Sequence, residues 1–147
     1  MPPMTSAARA PSSVITMKSG FDFEATLSRL KQALTSRGMT IFADIDQAAA
    51  AVAASTSLRP TRLLLFGNPK GGTPVMEANP HAALELPLKL VVWQAPEGAV
   101  QVDYLEPAAM LVEHYGIDAA FTGVFAQVPS LLAQAIDADQ NDAATWR

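Results

Sequence analysis

The sequence predicts an α+β fold, with a mixed or antiparallel sheet and helices gathered mainly on one face. Apolar stretches of strand length recur along the chain, some alternating and some continuous. Between them lie stretches with helical spacing, introduced by Asp and closed by Gly. Together they follow the order β, α, β, α, β, α, β, β, α, α, which fits such a sheet and shows no internal repeat. With 147 residues the chain has the size of a single domain burying roughly two-thirds of its unfolded surface, so one core is expected.

Ser12 to Lys18 sets Val14 and Thr16 against Ile15 and Met17, the alternation of a first strand, and stops at Ser19-Gly20. Asp22 then stands as an N-cap, Glu24 falls in the first turn, and Leu27, Leu30 and Leu34 recur at helical spacing until Gly38 offers a left-handed stop. Met39 to Ile45 reads as a second strand. Asp46 caps a short helix through Ala54 in which alanine gives high propensity and close packing. After a loop from Ser55 to Pro60, Thr61 to Phe66 is continuously apolar enough to be buried on both faces and to lie centrally in the sheet. Gly67 to Pro74 (GNPKGGTP) is dense in turn formers, and Thr73 followed by Pro74 matches the start of a short helix carrying Val75 and Met76. Leu88 to Gln94 and Val100 to Leu105 form strands joined by a hairpin at Pro96-Glu97-Gly98. Pro107 opens a helix through Tyr115 that Gly116 closes, and Ile117 to Ile136 carries one helical apolar stripe, kinked at Pro129. The domain therefore spans residues 12–138, between a disordered N-terminal arm (1–11) and a C-terminal tail (139–147).

Composition narrows the function. Charged residues make up 16% of the chain, against roughly 25% in an average soluble domain, and 50% are hydrophobic, which predicts a buried subunit interface and a homodimer. The formal charge is -4 and the basic residues are scattered, so no stripe exists for nucleic acid. Absence of cysteine removes disulfides, thiolate nucleophiles and cysteine-ligated metals. Met1 to Pro11 has no apolar core of a secretory signal, and the apolar Ile117 to Ile136 stretch is broken by Asp118, Gln127, Gln134 and Pro129, so neither export nor a membrane span is expected and the location is read as cytoplasmic.

The string from Leu63 through Phe66-Gly67-Asn68-Pro69-Lys70-Gly71-Gly72-Thr73-Pro74 to Met76 resembles the signature of the family called domain of unknown function 302. The Asp22-to-Gly38 helix, Ile45-Asp46-Gln47, Arg59-Pro60-Thr61, Leu86-Pro87-Leu88, Val92-Trp93, and Tyr104 with Pro107 agree with that pattern in the same order. The resemblance implies a β-α-β4-α arrangement similar to one half of the TATA-binding protein, commonly dimeric, with no activity to carry over. The family usually has His where this chain has Gln47, so no metal or haem role is transferred to that position.

The GNPKGGTP turn is the leading candidate site. Backbone N–H groups around Gly71, Gly72 and Thr73, running into a helix N-terminus, could cradle an anion, with Asn68 beside them and Lys70 adding a cation. The order of Lys and glycines is not that of a Walker A loop. The plain alternative is a tight connection whose glycines take positive φ and whose Asn68 and Thr73 bond the local backbone. Met76, Trp93 and Tyr104 are candidates to line a small-molecule pocket, although plain core or interface packing is the favoured reading of them. His81 and His114 have no metal-pair spacing and read as a turn residue and a helix C-terminal residue. Asp44 and Asp46 are too few for a cation site, with Asp46 serving as a cap, and Asp103 and Glu106 read as strand-end charges. No metal site is expected and the cofactor is unknown. The residues thus favour a non-catalytic, dimeric small-ligand-binding or accessory domain taking a small or anionic ligand. An enzyme using Asn68, Lys70, Thr73, His81 and Tyr104, or a structural partner docking through a Phe121/Phe125/Leu132 stripe, are the alternatives.

Overall fold

A computed structural model describes Ala10 and residues 12–139, so the expected N-terminal arm apart from Ala10, and the tail beyond Asp139, lie outside the described residues. Strands β1 (Val14–Lys18), β2 (Thr40–Asp46), β3 (Thr61–Gly67), β4 (Leu88–Gln94) and β5 (Val100–Leu105) form one sheet in the order β1-β5-β4-β3-β2. All four neighbouring pairs are antiparallel. Helices α1 (Phe23–Ser36), α2 (Gln47–Ala53), α3 (Pro69–Ala78), α4 (Ala108–Tyr115) and α5 (Val128–Ala135) complete the α+β fold, in the element order the sequence implies.

The period of two decides which strand residues enter the core. Leu64 and Phe66 of β3, Leu90 and Val92 of β4, and Val102 and Tyr104 of β5 are fully or almost fully buried. They meet Leu30 and Leu34 of α1, Val75 of α3, Leu111 of α4 and Leu132 of α5 in one cluster. Among the described residues no helix lies over the centre of the opposite face, and Leu63, Val91 and Trp93 there are only half-buried. Two expectations for β3 are corrected by this. Its leucines alternate between a buried and a half-buried face rather than being buried on both, and the central strand is β4, with β3 lying next to the edge strand β2.

Local signals place most ends. Asp22 Oδ1 accepts from Ala25 N at 2.8 Å to start α1, and Gly38 ends it at φ +80. Asp46 Oδ1 accepts from Ala49 N at 2.9 Å to start α2, but no residue of α2 is buried, so its alanines supply propensity rather than the close packing expected of them. The β4–β5 hairpin closes through Ala95 N to Ala99 O at 2.8 Å, with Gly98 at φ +102. The long helix expected from Ile117 to Ile136 is replaced by two 3-10 turns, Ala119–Phe121 and Gly123–Phe125, followed by α5. Pro129 sits in the first turn of α5, where its missing N–H costs nothing, so it marks a start rather than a kink. Phe125 and Leu132 of the proposed docking stripe are core residues, while Phe121 is 40% exposed, so the stripe covers this chain's own sheet.

Candidate functional site

The GNPKGGTP segment is a helix start rather than a loop. Asn68 is the N-cap and its Oδ1 accepts from Lys70 N at 3.0 Å, while Pro69 occupies the first turn. Gly71 N and Gly72 N both donate to Asn68 O, at 2.9 and 3.0 Å. The expected anion nest around Gly71, Gly72 and Thr73 is therefore corrected, because its N–H donors are spent inside α3. Neither glycine has positive φ, so the plain alternative of a left-handed turn is corrected as well. Thr73 and Pro74 lie within α3 instead of opening it. Gly71 has a different reason to be small: a Cβ there would stand 3.3 Å from Val124 Cγ2, so the helix start packs tightly on the turn before α5.

That close packing shapes a cleft of about 380 Å³ at the first turn of α3. Asn68, Lys70 and Gly71 form one wall, Arg37 at the C-cap of α1 contributes a second cation, and Met39, Leu88, Phe125, Val128 and Leu131 give an apolar floor. Gln127 adds an amide, and among the described residues no carboxylate lines the cleft. Among the described residues neither Arg37 nor Lys70 is in an ion pair, since both salt bridges go to Asp44. Two unpaired cations above an apolar floor suit a carboxylate or similar anion attached to an apolar body.

The other candidates fall elsewhere. Gly72, Thr73 and Met76 do not line the cleft. Tyr104 is fully buried beneath the helices, 6.3 Å from Phe66 between ring centroids, so its pocket-lining role is corrected to core packing. Among the described residues its hydroxyl has no hydrogen-bond partner, and burial, reinforced by the charge of Glu106, raises its pKa. Trp93 lies on the opposite side of the sheet, where it lines a trough together with Asp103. Glu106 Oε1 accepts from Ala108 N at 2.7 Å at the start of α4. His81 and His114 are both exposed and neither lines the cleft: His81 lies in the first turn of a 3-10 helix, Pro80–Glu85, capped by Asn79, and His114 is in the last turn of α4.

Asp44 is held in a fork by Arg62, through Nε at 2.8 Å and the terminal nitrogen at 2.6 Å, and also by Lys31. The Arg62 hydrogen bonds, aided by Lys31 and opposed by partial burial, hold its carboxyl at about 2. Asp44 thus joins α1 to β2 and β3, and Asp46 is committed to its cap. Reasoning from sequence missed Arg37, which looked like an ordinary residue before the Gly38 stop. It also missed Phe125 and Val128, which an assumed continuous helix placed on an apolar stripe, and Gln127, which was read only as a polar break in that stretch.

The chain is 33% identical over 113 residues to fluoride-specific ion channel FluC 1 of Brucella suis biovar 1, a match that covers 77% of this chain and 44% of that protein. The match to FluC 1 of Brucella abortus biovar 1 has the same identity and covers 41% of that protein. The chain thus spans less than half the length of these curated relatives. A crystal structure of an uncharacterized conserved protein DUF302 from Bacillus stearothermophilus superposes with a TM-score of 0.72 at 23% identity, covering 86% of this chain and 98% of that one, and so shares the fold. No helix among the described residues is long and apolar enough to cross a membrane. The model of the family described as Domain of unknown function DUF302 matches residues 15–138, nearly the whole described fold, and the chain belongs to that family.

Proposed function

We propose that the chain is a non-catalytic, cytoplasmic, homodimeric binding domain whose cleft at the start of α3 takes a small anion with an apolar body. The observation that carries this reading is the placement of Arg37 and Lys70, neither of them ion-paired among the described residues, on the walls of a cleft with an apolar floor. An anionic group is expected to pair with these cations, and the floor removes an attached hydrocarbon from water at about 25 cal/mol per Å². The described residues lining the cleft include no Ser, Thr, Cys, His, Asp or Glu, which is why binding rather than reaction is proposed. Calorimetric titration with octanoate tests it. Octanoate is expected to bind with n-octanol at least tenfold weaker, and Lys70→Glu or Arg37→Glu to weaken octanoate at least tenfold, or about 1.4 kcal/mol. Equal binding of acid and alcohol, or no heat with either, would contradict the reading.

An accessory role is supported by a separate observation. The relatives from Brucella carry a segment like this chain within longer proteins named as fluoride-specific ion channels, while the described residues here include no membrane-crossing helix. A domain like this one, carried within a longer protein named as a channel, fits a sensing module that acts on a partner.

A further inference from the structure

We propose that the head group selected by the cleft at α3 is a phosphate monoester on an apolar body, a dianion in preference to a carboxylate; this rests on the reading of that cleft as an anion site. Arg37 and Lys70 bring two positive charges to its lining, and among the described residues it carries no Asp, Glu or His to offset either. A carboxylate supplies one negative charge, whereas a phosphate monoester near neutral pH supplies close to two and leaves neither cation unmatched. Both stems are long and flexible, so within a cleft of about 380 Å³ the two heads can converge on one group of the ligand.

The hydrogen-bonding groups of the lining select the same head. Asn68 Oδ1 is occupied as the cap of α3, accepting from Lys70 N at 3.0 Å, so its exposed amide has the Nδ2 donor left to offer, without a partner among the described residues. The Arg37 guanidinium, the Lys70 ammonium and the Gln127 amide nitrogen are donors as well, all on exposed residues, and Gln127 Oε1 is the one side-chain oxygen of the described lining not already engaged. Such a set serves a head rich in acceptors. The three terminal oxygens of a phosphate monoester accept from several donors at once, and a guanidinium fork matches two of them, while a carboxylate has two oxygens in all. A sulfate ester has the oxygens but a single charge. Leu88, Phe125 and Val128 of the floor are buried and apolar, so the body of the ligand is a hydrocarbon rather than a sugar, whose hydroxyls would lie there unpaired.

Calorimetric titration of the full chain with octyl phosphate, octyl methyl phosphate and octanoate tests this. At pH 8 octyl phosphate is expected to bind at least tenfold more tightly than octanoate, and than octyl methyl phosphate, which keeps the tetrahedral head and the chain but has one charge. Its affinity is expected to fall at least threefold between pH 8 and pH 5.5, as the ester takes up a proton with a pKa of about 6, while that of octanoate changes less than twofold. Asp caps a helix as well as Asn, so Asn68→Asp keeps α3 but puts a charged oxygen in place of the Nδ2 donor, and octyl phosphate is expected to bind it at least tenfold more weakly. Should that variant fail to fold, the three ligands on the unaltered chain decide alone. Octanoate or octyl methyl phosphate binding as tightly as octyl phosphate overturns the dianion and leaves the cleft a site for monoanions; binding of none of the three overturns the reading of the cleft itself. Where octyl phosphate binds, sedimentation with phosphatidylcholine vesicles containing phosphatidic acid assigns the source of the same chemistry, a lipid head group if the protein co-sediments and a free ester if it stays in solution.

Discussion

At the scale of single residues, charge and hydrogen bonding at fixed positions set the behaviour. Asp44 has a carboxyl pKa held at about 2, below its ordinary 3.8, so its contribution to stability is complete above about pH 4 and is lost as the pH falls towards 2. Urea unfolding across pH 2 to 5 is expected to show this acid limb, and Asp44→Asn to flatten it; an unchanged limb would mean the Arg62 fork is not formed. Tyr104 behaves oppositely: its hydroxyl is buried without a partner and its pKa is raised, so stability falls as the pH climbs through about 10, where the unfolded phenol ionises. Tyr104→Phe removes that orphan group at nearly constant volume and is expected to leave stability unchanged or raise it by about 1 kcal/mol. A loss beyond that in a denaturant titration would reveal a partner for the hydroxyl. Legibility at this scale follows locality. Asp22 and Asp46 were readable as caps because a cap bonds the backbone three residues on, whereas the fork on Asp44 joins residues far apart in sequence and leaves no local trace.

At the scale of elements, the strands and α1 were legible because apolar period and end residues agreed there. They disagreed in α3. Thr73-Pro74 satisfies the rule for a helix start, yet Asn68-Pro69 satisfies it five residues earlier, and the earlier start packs Gly71 against Val124. The segment from Ile117 to Ile136 was misread because its apolar residues keep helical spacing on both sides of turns that only packing on the sheet reveals. The C-terminal end is tied to the β1–α1 turn by Gly20 N donating to Ile136 O at 2.9 Å. A Cβ on Gly20 would stand 2.6 Å from Ala138 Cβ and 3.0 Å from its backbone nitrogen, both without freedom to swing aside. Gly20→Ala is therefore expected to cost about 1–3 kcal/mol and to speed amide exchange in α5. Exchange unchanged in α5 would show that this tie does not hold the helix.

At the scale of the whole molecule, the sheet separates two environments. One face is closed by helices and carries the core, and beside it the cleft at α3 holds unpaired cations. The other face, left without a helix over its centre among the described residues, is apolar there and carries Trp93 and Asp103. Low charge content already signalled that more apolar surface exists than one core absorbs, but composition has no direction and could not say which face stays open. The cleft was half legible: Asn68, Lys70 and Gly71 were found through an unusual string, while Arg37 and Val128 reach it only through the fold. Native mass spectrometry of the full chain with octanoate tests the binding function most directly, because one spectrum reads subunit count and bound mass. A dimer of the 15.5 kDa chain carrying one octanoate per subunit, with the adduct lost in Lys70→Glu, is the predicted result. A bare monomer at every octanoate concentration would contradict it.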